Sequence, residues 1–495
     1  MNKTNSIFNT AIFQFATSGI HLATSLEILH NESNLRHNNY YNLLGQDTFF
    51  PSRMAKTGQT LLGKAPKKLK GLVKKADPNV HFIDKIKYNR AWVNKNLEEF
   101  SRQLKSLTNI SDLALIKHDS ISPGPALANE LVSLSRNTEI NLLDNQKMLW
   151  RLLRSYLEVY SHTLNLIRVY NINRVHIYNG RFLHERASWD AAKQLGCEVL
   201  IFETTHNRYQ QRIEGFHNRV NNQKVMKDLW INSDIELSEK IKISSEWFTV
   251  MKSSINPFMI KESNRFITDK KFFVYFSNSD DEVVGFWDEW KEPLGNQLTV
   301  VNKLIDIFSN QEKYNLVIRL HPNLLNRPQS VVSKWESLNT KRNSILIQPH
   351  EKISSYELLD DSIGIINFGS TIGIEAAYYE KPVLVLADCK YDELQIADKL
   401  TRWDEIESWI EQAEFFPDEL IAERKMNSLI FGYYFHECGT RFAYTELSKS
   451  NQLGAWNADY FLGVRINEFE ILKNYRRLIM NLKFWLIKGD FRFEK

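Results

Sequence analysis

The strongest constraint on this chain is a rhythm. A short run of β-branched and aromatic residues ends in a turn of small polar residues, and a helix with apolar periodicity follows. In the second half, Lys271–Phe276 (KFFVYF) runs into SNSDDE, Leu298–Phe308 has a helical pattern, and Tyr314–Leu320 (YNLVIRL) runs into His321-Pro322. Ser344–Ile347 reads as a strand, Ser355–Leu359 as a short helix, and Ile363–Ile366 as a strand ending in Asn367-Phe368-Gly369. A further helix leads to the strand Val383–Leu386. Strands alternating with helices in this way predict βαβ units and a parallel sheet.

The first half carries the same rhythm less evenly. Ala11–Ala16 reads as a strand, Ile20–Leu29 as a helix, and Tyr40–Phe50 as holding a second strand. Pro51–Pro78, rich in Lys, Gly and Pro, reads as a long loop, and Asp112–Lys117 (DLALIK) as a strand. Leu142–Asn171 predicts a long helix, followed by strand Val175–Tyr178, helix Glu185–Leu195 and strand Glu198–Phe202. No self-similarity appears at the period of roughly 20–50 residues that marks a solenoid.

At 495 residues the chain exceeds what one core sustains. The expectation is therefore an α/β fold of two Rossmann-like domains facing across a cleft and meeting near residues 240–265. The boundaries read as 1–250, with a Lys-rich insertion near 51–78, then 265–425, then helices over 426–495 that pack back on the first domain. A composition of 43% hydrophobic and 25% charged residues excludes a disordered protein. A net charge of +4 is too small to argue for nucleic acid. Cys197, Cys389 and Cys438 are far apart and fit neither a metal spacing nor a disulfide framework. Asn9, Thr10 and Gln14 interrupt the apolar core that a signal peptide needs, so the expected location is cytoplasmic, including the inner face of the cell membrane.

Ligands of open α/β sheets bind outside the carboxyl ends of the strands, which selects the residues just after each strand. Ser370 stands where the helix ending before Lys381-Pro382 would start. Gly369, Ser370 and Thr371 would then offer backbone N–H groups and a helix dipole to an anion, although an ordinary N-cap reads the same way. Glu375 follows Thr371 by four residues on one face; it suits the hydroxyls of a ribose, or is simply a solvated helix residue. His321 leaves an apolar strand that Pro322 stops, and its imidazole could donate to a phosphate, with Arg319 two residues earlier on the same face. The other reading of His321 is a loop cap. Ser277 and Ser279, with Asn278 between them, offer hydroxyls after another strand, while Asp280, Asp281 and Glu282 suit a helix start. In the first half, Ser18, Gly19 and His21 follow the first strand and Asn179, Gly180 and Arg181 follow another. Glu203 and His206 close EVLIF and are the candidates for a general base. HExxH, paired CxxC, GxSxG and Walker patterns are absent, as is any RNA-recognition signature.

Two Rossmann-like halves, RLHPN at 319–323, and GSTIGIEAAYYEKPVLVL from Gly369, in that order, resemble a GT-B glycosyltransferase. The resemblance is to bacterial capsule and surface-polysaccharide transferases, including Kdo-transferring capsule enzymes. The His-Pro motif is shared with bacterial polysialyltransferases and teichoic-acid CDP-glycerol polymerases. YFSNSDDEVVG and YNGRFLHERASWDAAKQLG are also similar to that group, and the likeness spans about residues 170–390. The resemblance implies a nucleotide sugar as substrate, CMP- or CDP-linked ahead of UDP-linked, with no metal and no cofactor. It puts His321 and the Ser370–Thr371 helix start at the donor phosphate and Glu375 on the ribose, with Arg319, Ser277, Ser279 and Gly369 as further donor-binding candidates. His321, Glu203 and His206 become the catalytic candidates, and Ser18, Gly19, His21, Asn179 and Arg181 the acceptor side. The implied partner is a glycan or lipid-linked glycan acceptor, with no nucleic acid. The acidic motif that carries the base in bacterial sialyltransferases lies in their first domain, whereas DDE here opens the second half, so that role does not pass to Asp280 or Asp281. Two other readings stay open: a non-hydrolysing sugar-nucleotide epimerase, which needs carboxylates around the sugar, and a non-catalytic glycan- or nucleotide-binding protein.

Two segments have the composition of a peripheral membrane contact. Lys64–Lys75 (KAPKKLKGLVKK) holds six lysines, and residues 475–488 mix Arg and Lys with Leu, Ile, Phe and Trp. A solvated loop and a helix packed on the first domain are the alternative readings.

Overall fold

In a computed structural model of the chain, the residues described are 8–14, 19–44, 67–205, 207–213, 215–253, 264–279, 284, 290–449 and 456–466. Ala16, Ser18, His206, Asp280, Asp281, Glu282, residues 51–66 and the segment 475–488 lie outside them. The chain divides into two units: unit 1 comprises the residues up to Phe216 and those from Gly439, and unit 2 comprises His217–Cys438.

Unit 1 begins with strands β1 (Asn9–Gln14), β2 (Asn38–Leu43), β3 (His81–Ile83), β4 (Arg174–Tyr178), β5 (Glu198–Thr205) and β6 (Arg208–Arg212). Unit 2 holds β7 (Phe272–Phe276), β8 (Asn315–Arg319), β9 (Ser344–Ile347), β10 (Gly364–Asn367), β11 (Val383–Val385) and β12 (Asp398–Lys399). The chain then returns to unit 1 with β13 (Thr440–Arg441), β14 (Thr445–Lys449), β15 (Trp456–Phe461) and β16 (Val464–Arg465).

The unit 2 sheet runs β12-β11-β10-β7-β8-β9 with every pair parallel. Counted from its own first strand this is the order 3-2-1-4-5-6 of a Rossmann sheet. The unit 1 sheet runs β13-β6-β5-β4-β1-β2-β3, which repeats that order through five parallel strands before β6 turns antiparallel. The fold class is therefore α/β with two Rossmann-type units.

The strand sequences explain this. All five residues of β7 are buried, and they alternate between two cores. Phe272, Val274 and Phe276 join one with Ile365, Val383 and Ile374; Phe273 and Tyr275 join the other with Leu316, Ile318 and Leu304. A strand covered on both faces reads as an unbroken apolar run, which is how a parallel sheet announces itself. The helices between are capped as their sequences require: Asn89, Asn218 and Asn296 each accept a backbone N–H in the first turn. The helix Gln146–Tyr170 ends on Asn171 in the left-handed region at φ 50°.

Several segments differ from expectation. DLALIK is not a strand: Asn109 accepts the Asp112 N–H at 2.8 Å and starts the short helix Ile110–Ala114. Within the segment expected as a loop, Lys67–Ala76 is a helix, because Leu69, Leu72, Val73 and Ala76 fall at helical spacing and are buried in the unit 1 core. Its apolar face is thus already covered by protein, and its lysines carry the exposed face. The helices Arg219–Asn232 and Leu237–Lys252, expected with the first half, belong to unit 2, where Met226, Trp247 and Phe248 share a core with Leu429 and Phe431 of the helix Asp418–Glu437. Among the described residues beyond Cys438, strands stand where helices were expected. β14, β15 and β16 form an antiparallel sheet, with Leu462 and Gly463 both at positive φ (46° and 73°) in a tight hairpin turn. Ala458 and Phe461 of that sheet pack with Leu22 and Leu26 of the helix Gly19–Asn34. Among the described residues no helix is long and apolar enough to cross a membrane.

Candidate functional site

In the unit 2 sheet the chain departs in opposite directions from β7 and β10, so the switch point lies at their carboxyl ends. Hydrogen bonds tie three strand ends together there. Ser277 donates its backbone N–H to Arg319 O at 3.2 Å, and its buried Oγ accepts the His321 N–H at 2.8 Å. Asn278 donates through Nδ2 to Phe368 O at 3.4 Å, which joins the end of β7 to that of β10. Gln297, in the first turn of the following helix, accepts the Asn278 N–H at 2.7 Å. Polar groups held from both sides in this way are fixed before any ligand arrives.

His321 begins the short 3-10 turn Pro322–Asn326, and its Nδ1 accepts the Asn323 N–H at 3.1 Å. A ring nitrogen that accepts cannot carry the proton, so this bond puts the proton on Nε2. The loop-cap reading and the donor reading of His321 thus coexist: one nitrogen caps and the other carries an N–H. Arg319 does not share that face. Its guanidinium is buried and donates to Gln348 O at 2.6 Å and Glu351 O at 3.3 Å, clamping the loop after β9. The arginine that reaches this edge is Arg327, which the sequence reading missed; it donates to Ser279 Oγ at 3.1 Å. Its signal was the RP dipeptide closing LHPNLLNRP.

After β10 the chain turns sharply. Gly369 has φ +94° and donates its N–H to Asn367 Oδ1 at 2.7 Å; a Cβ there would stand 2.8 Å from the Cys389 Cβ. Ser370 is not the N-cap. Thr371 occupies that position with helical backbone and no side-chain cap bond, while Ser370 O lies 2.9 Å from the Tyr391 hydroxyl. The helix Ile372–Tyr378 is only two turns long, and Gly373 allows Tyr391 to pass close beside it. Glu375 meets no ribose-facing surface. It is 3% exposed and accepts a hydrogen bond from the Tyr356 hydroxyl. Burial pushes its carboxyl up to about 7, against the opposing pull of that hydrogen bond.

The unit 1 switch point lies between β1 and β4, and near it stand those first-half candidates that are among the described residues. Asn179 has φ 54°, donates its N–H to Phe202 O at 2.9 Å, accepts the Arg181 N–H at 3.0 Å and donates through Nδ2 to Glu203 Oε1. Gly180 follows at φ +79°, where a Cβ would stand 2.6 Å from the Trp189 ring. Gly19 opens the helix Gly19–Asn34 at φ +76°, and His21 in its first turn lies against Tyr178 with ring centroids 4.4 Å apart. His21 is partly exposed as a residue, yet its ring is packed deeply enough that burial pushes it down to about 4, leaving it neutral at physiological pH. Burial and then the Glu203 and Glu185 carboxylates raise the Tyr178 hydroxyl, while Arg181 acts the other way, so these side chains share one neighbourhood. Glu185 was not among the sequence candidates. It is fully buried in the first turn of the helix Leu183–Gln194, and burial, with the Glu130 charge adding, raises its carboxyl well above the usual range.

No protein-family model and no curated protein sequence matches the chain. Solved structures are similar in fold. Thermosulfurimonas dismutans KpsC, a beta Kdo 2,4 transferase, is 11% identical over 52% of this chain and 79% of its own, with a TM-score of 0.33. The S. aureus MnaA–UDP co-structure is 13% identical over 87% of this chain and 94% of its own, with a TM-score of 0.29. CalG4, the calicheamicin glycosyltransferase, is 11% identical over 86% and 95%, with a TM-score of 0.27. Values this low carry no argument about the reaction, and the fold class stands on the strand orders above.

Proposed function

We propose that the protein is a glycosyltransferase of GT-B type, moving a sugar from a nucleotide-activated donor, CMP- or CDP-linked, to a growing surface polysaccharide. The observation that carries this reading is the carboxyl edge of unit 2: three strand ends bonded to one another around Asn278, with the His321 proton on Nε2. An imidazole N–H, the Arg327 guanidinium and the turn at Gly369-Ser370-Thr371 suit a donor phosphate. Glu375 then acts from behind, through Tyr356, rather than on the ribose.

In the reaction an acceptor hydroxyl oxygen bonds to the anomeric carbon as the bond from that carbon to the donor phosphate breaks, its electron pair going to the phosphate oxygen. Hydrogen-bond donors already in place stabilise the charge that develops there. In an inverting transfer Glu203, oriented by Asn179, takes the hydroxyl proton. The nucleotide sugar is a substrate, and no metal is assigned. Contact with an anionic membrane surface through the exposed lysines of Lys67–Ala76 fits a lipid-linked acceptor.

A thermal-shift panel of CMP, CDP, UDP, GDP and ADP tests the donor site. A ligand at a hundred times its Kd stabilises by about 2.7 kcal/mol. One nucleotide should stabilise the wild type and lose that effect in His321→Ala and Arg327→Ala. Stabilisation by none of the five, with the wild type folded, overturns the donor reading. Nucleotide released only in the presence of a glycan acceptor separates transfer from epimerisation and from binding alone.

A further inference from the structure

A pocket of about 830 Å³ opens among the helices of unit 1. It is built by the loop 86–90, the start of the helix Arg90–Leu104, the turn 118–121, the later turns of Gln146–Tyr170 and Gln194 at the end of Leu183–Gln194. Those last two helices lead into the amino ends of β4 and β5, so the pocket lies away from the carboxyl edge that gathers Glu203 and Asn179. It is a separate site, and nothing in the transfer reaction uses it.

Its lining has a definite chemistry. Lys87, Arg90, Lys95 and Arg168 contribute four cations against one acid, Asp119. Among the described residues none of the four cationic side chains makes an ion pair or hydrogen bond, whereas Lys70, Lys74, Arg154 and Arg174 of the same unit are all engaged. Like charges left unpaired around a concavity raise the local concentration of an anion. The wall is not built for a bare anion, however. Trp92, stacked parallel on Tyr160 with centroids 5.7 Å apart, forms part of it, as does Tyr88. Gln194 is fixed at the rim, donating to Ser120 Oγ at 2.6 Å and accepting from the Tyr160 hydroxyl. Asn165 is exposed and its amide makes no hydrogen bond among the described residues. Flat aromatic surface suits the apolar face of a sugar ring, and an amide that both donates and accepts suits ring hydroxyls, which do both. The volume is that of a site for a sizeable organic ligand, far beyond one inorganic ion.

We infer that this pocket binds an anionic oligosaccharide, a short chain of sugar rings bearing carboxylates, away from the carboxyl edge of the unit 1 sheet. The cations supply attraction that depends on ionic strength, and the aromatic and amide groups supply preference for sugar.

Titration calorimetry on the full chain tests this with trigalacturonic acid, maltotriose and inorganic phosphate as probes. Trigalacturonic acid should bind the wild type and the exposed unit 2 control Lys303→Glu alike. Its affinity should fall at least tenfold in Lys95→Glu/Arg168→Glu, and fall again as ionic strength rises from about 50 to about 300 mM. Maltotriose should bind at least tenfold more weakly than trigalacturonic acid. Absence of trigalacturonic acid binding, binding undiminished in the double variant, equal binding of maltotriose, or displacement by phosphate at equal concentration each overturns the inference. The nucleotide response of unit 2 should survive the double variant, so failure of either reading leaves the other standing.

Discussion

Glu375 offers a sharp test of how the unit 2 edge is held. Its carboxyl is buried, bonded to Tyr356 and pushed up by burial to about 7, against 4.5 for an ordinary glutamate. A folded-state value raised above the unfolded one means that the native state keeps its proton longer. The contribution to stability is therefore complete below the unfolded value and is lost as pH rises through the folded one. A separation of 2.5 units at 1.36 kcal/mol each comes to about 3 kcal/mol, lost between roughly pH 4.5 and 7. Glu375→Gln keeps the shape and an oxygen for the Tyr356 hydroxyl but cannot ionise. The variant should match wild type near pH 4.5, gain on it by about 1.4 kcal/mol per pH unit, and stay about 3 kcal/mol more stable above pH 7. Because two units need not unfold together, the readout should be local: urea-dependent hydrogen–deuterium exchange of peptides covering residues 364–386. A difference that stays flat between pH 4.5 and 8.5, or that moves in favour of wild type, refutes the buried-acid reasoning.

Three other perturbations have defined outcomes. Glu32 accepts from Thr10 at 3.2 Å and lies 2.5 Å from His37 Nδ1, 3.3 Å from His176 Nε2 and 3.6 Å from Arg174; burial would raise its carboxyl, but His176, His37 and Arg174 hold it down to about 2. Its contribution is present above the ordinary glutamate range and lost as pH falls towards 2, so Glu32→Gln should cost unit 1 about 3 kcal/mol at pH 7 and almost nothing near pH 2 in urea titrations. Gly373→Ala would place a Cβ 2.2 Å from the Tyr391 hydroxyl oxygen, and overpacking of this kind costs about 1–3 kcal/mol; Tyr391→Phe in the same chain should recover part of that, giving a favourable coupling in a double-mutant cycle. Leu72→Ala should destabilise unit 1 by about 2–5 kcal/mol in membrane-free buffer, because Leu72 is 3% exposed within a protein core; an unchanged urea midpoint would overturn the burial of this helix face.

The parallel core was legible because burial on both faces writes itself into the sequence. KFFVYF and YNLVIRL admit no exposed face, and their spacing by single helices leaves little choice of strand order. The elements misread were those whose signal is short or masked by charge. Lys67–Ala76 hides four buried apolar positions among five lysines and a glycine, and composition outweighed periodicity there. DLALIK alternates like a strand over too few residues to decide, and one capping bond from Asn109 decides it. In β14 and β15 the alternation is weak, and the hairpin that organises the end of that small sheet uses Leu462 at a positive φ that no sequence rule assigns to leucine.

Site residues divide along a different line. Which residues stand at the carboxyl ends of strands follows from strand ends, so Ser277, His321, Gly369 and Asn179 stand just after strands as expected, whereas β5 runs on to Thr205 and holds Glu203 inside the strand, opposite Gln210 of β6. Which way a side chain turns depends on what competes for it, and that information comes from segments distant in sequence. Arg319 alternates correctly to be an inward partner of His321, yet the carbonyls of Gln348 and Glu351 capture it, while Arg327, eight residues on and outside any strand, reaches Ser279 instead. Glu375 was set on the outer face by its distance from Thr371, but Tyr356, from a different helix, supplies the hydroxyl it was expected to seek in a ligand. Both substitutions follow one rule: a polar group at a buried strand or helix end is satisfied by the nearest protein partner first, and only what remains can serve a ligand. At this edge His321 caps Asn323 through Nδ1 and carries its proton on Nε2, which makes its imidazole the group to mutate first.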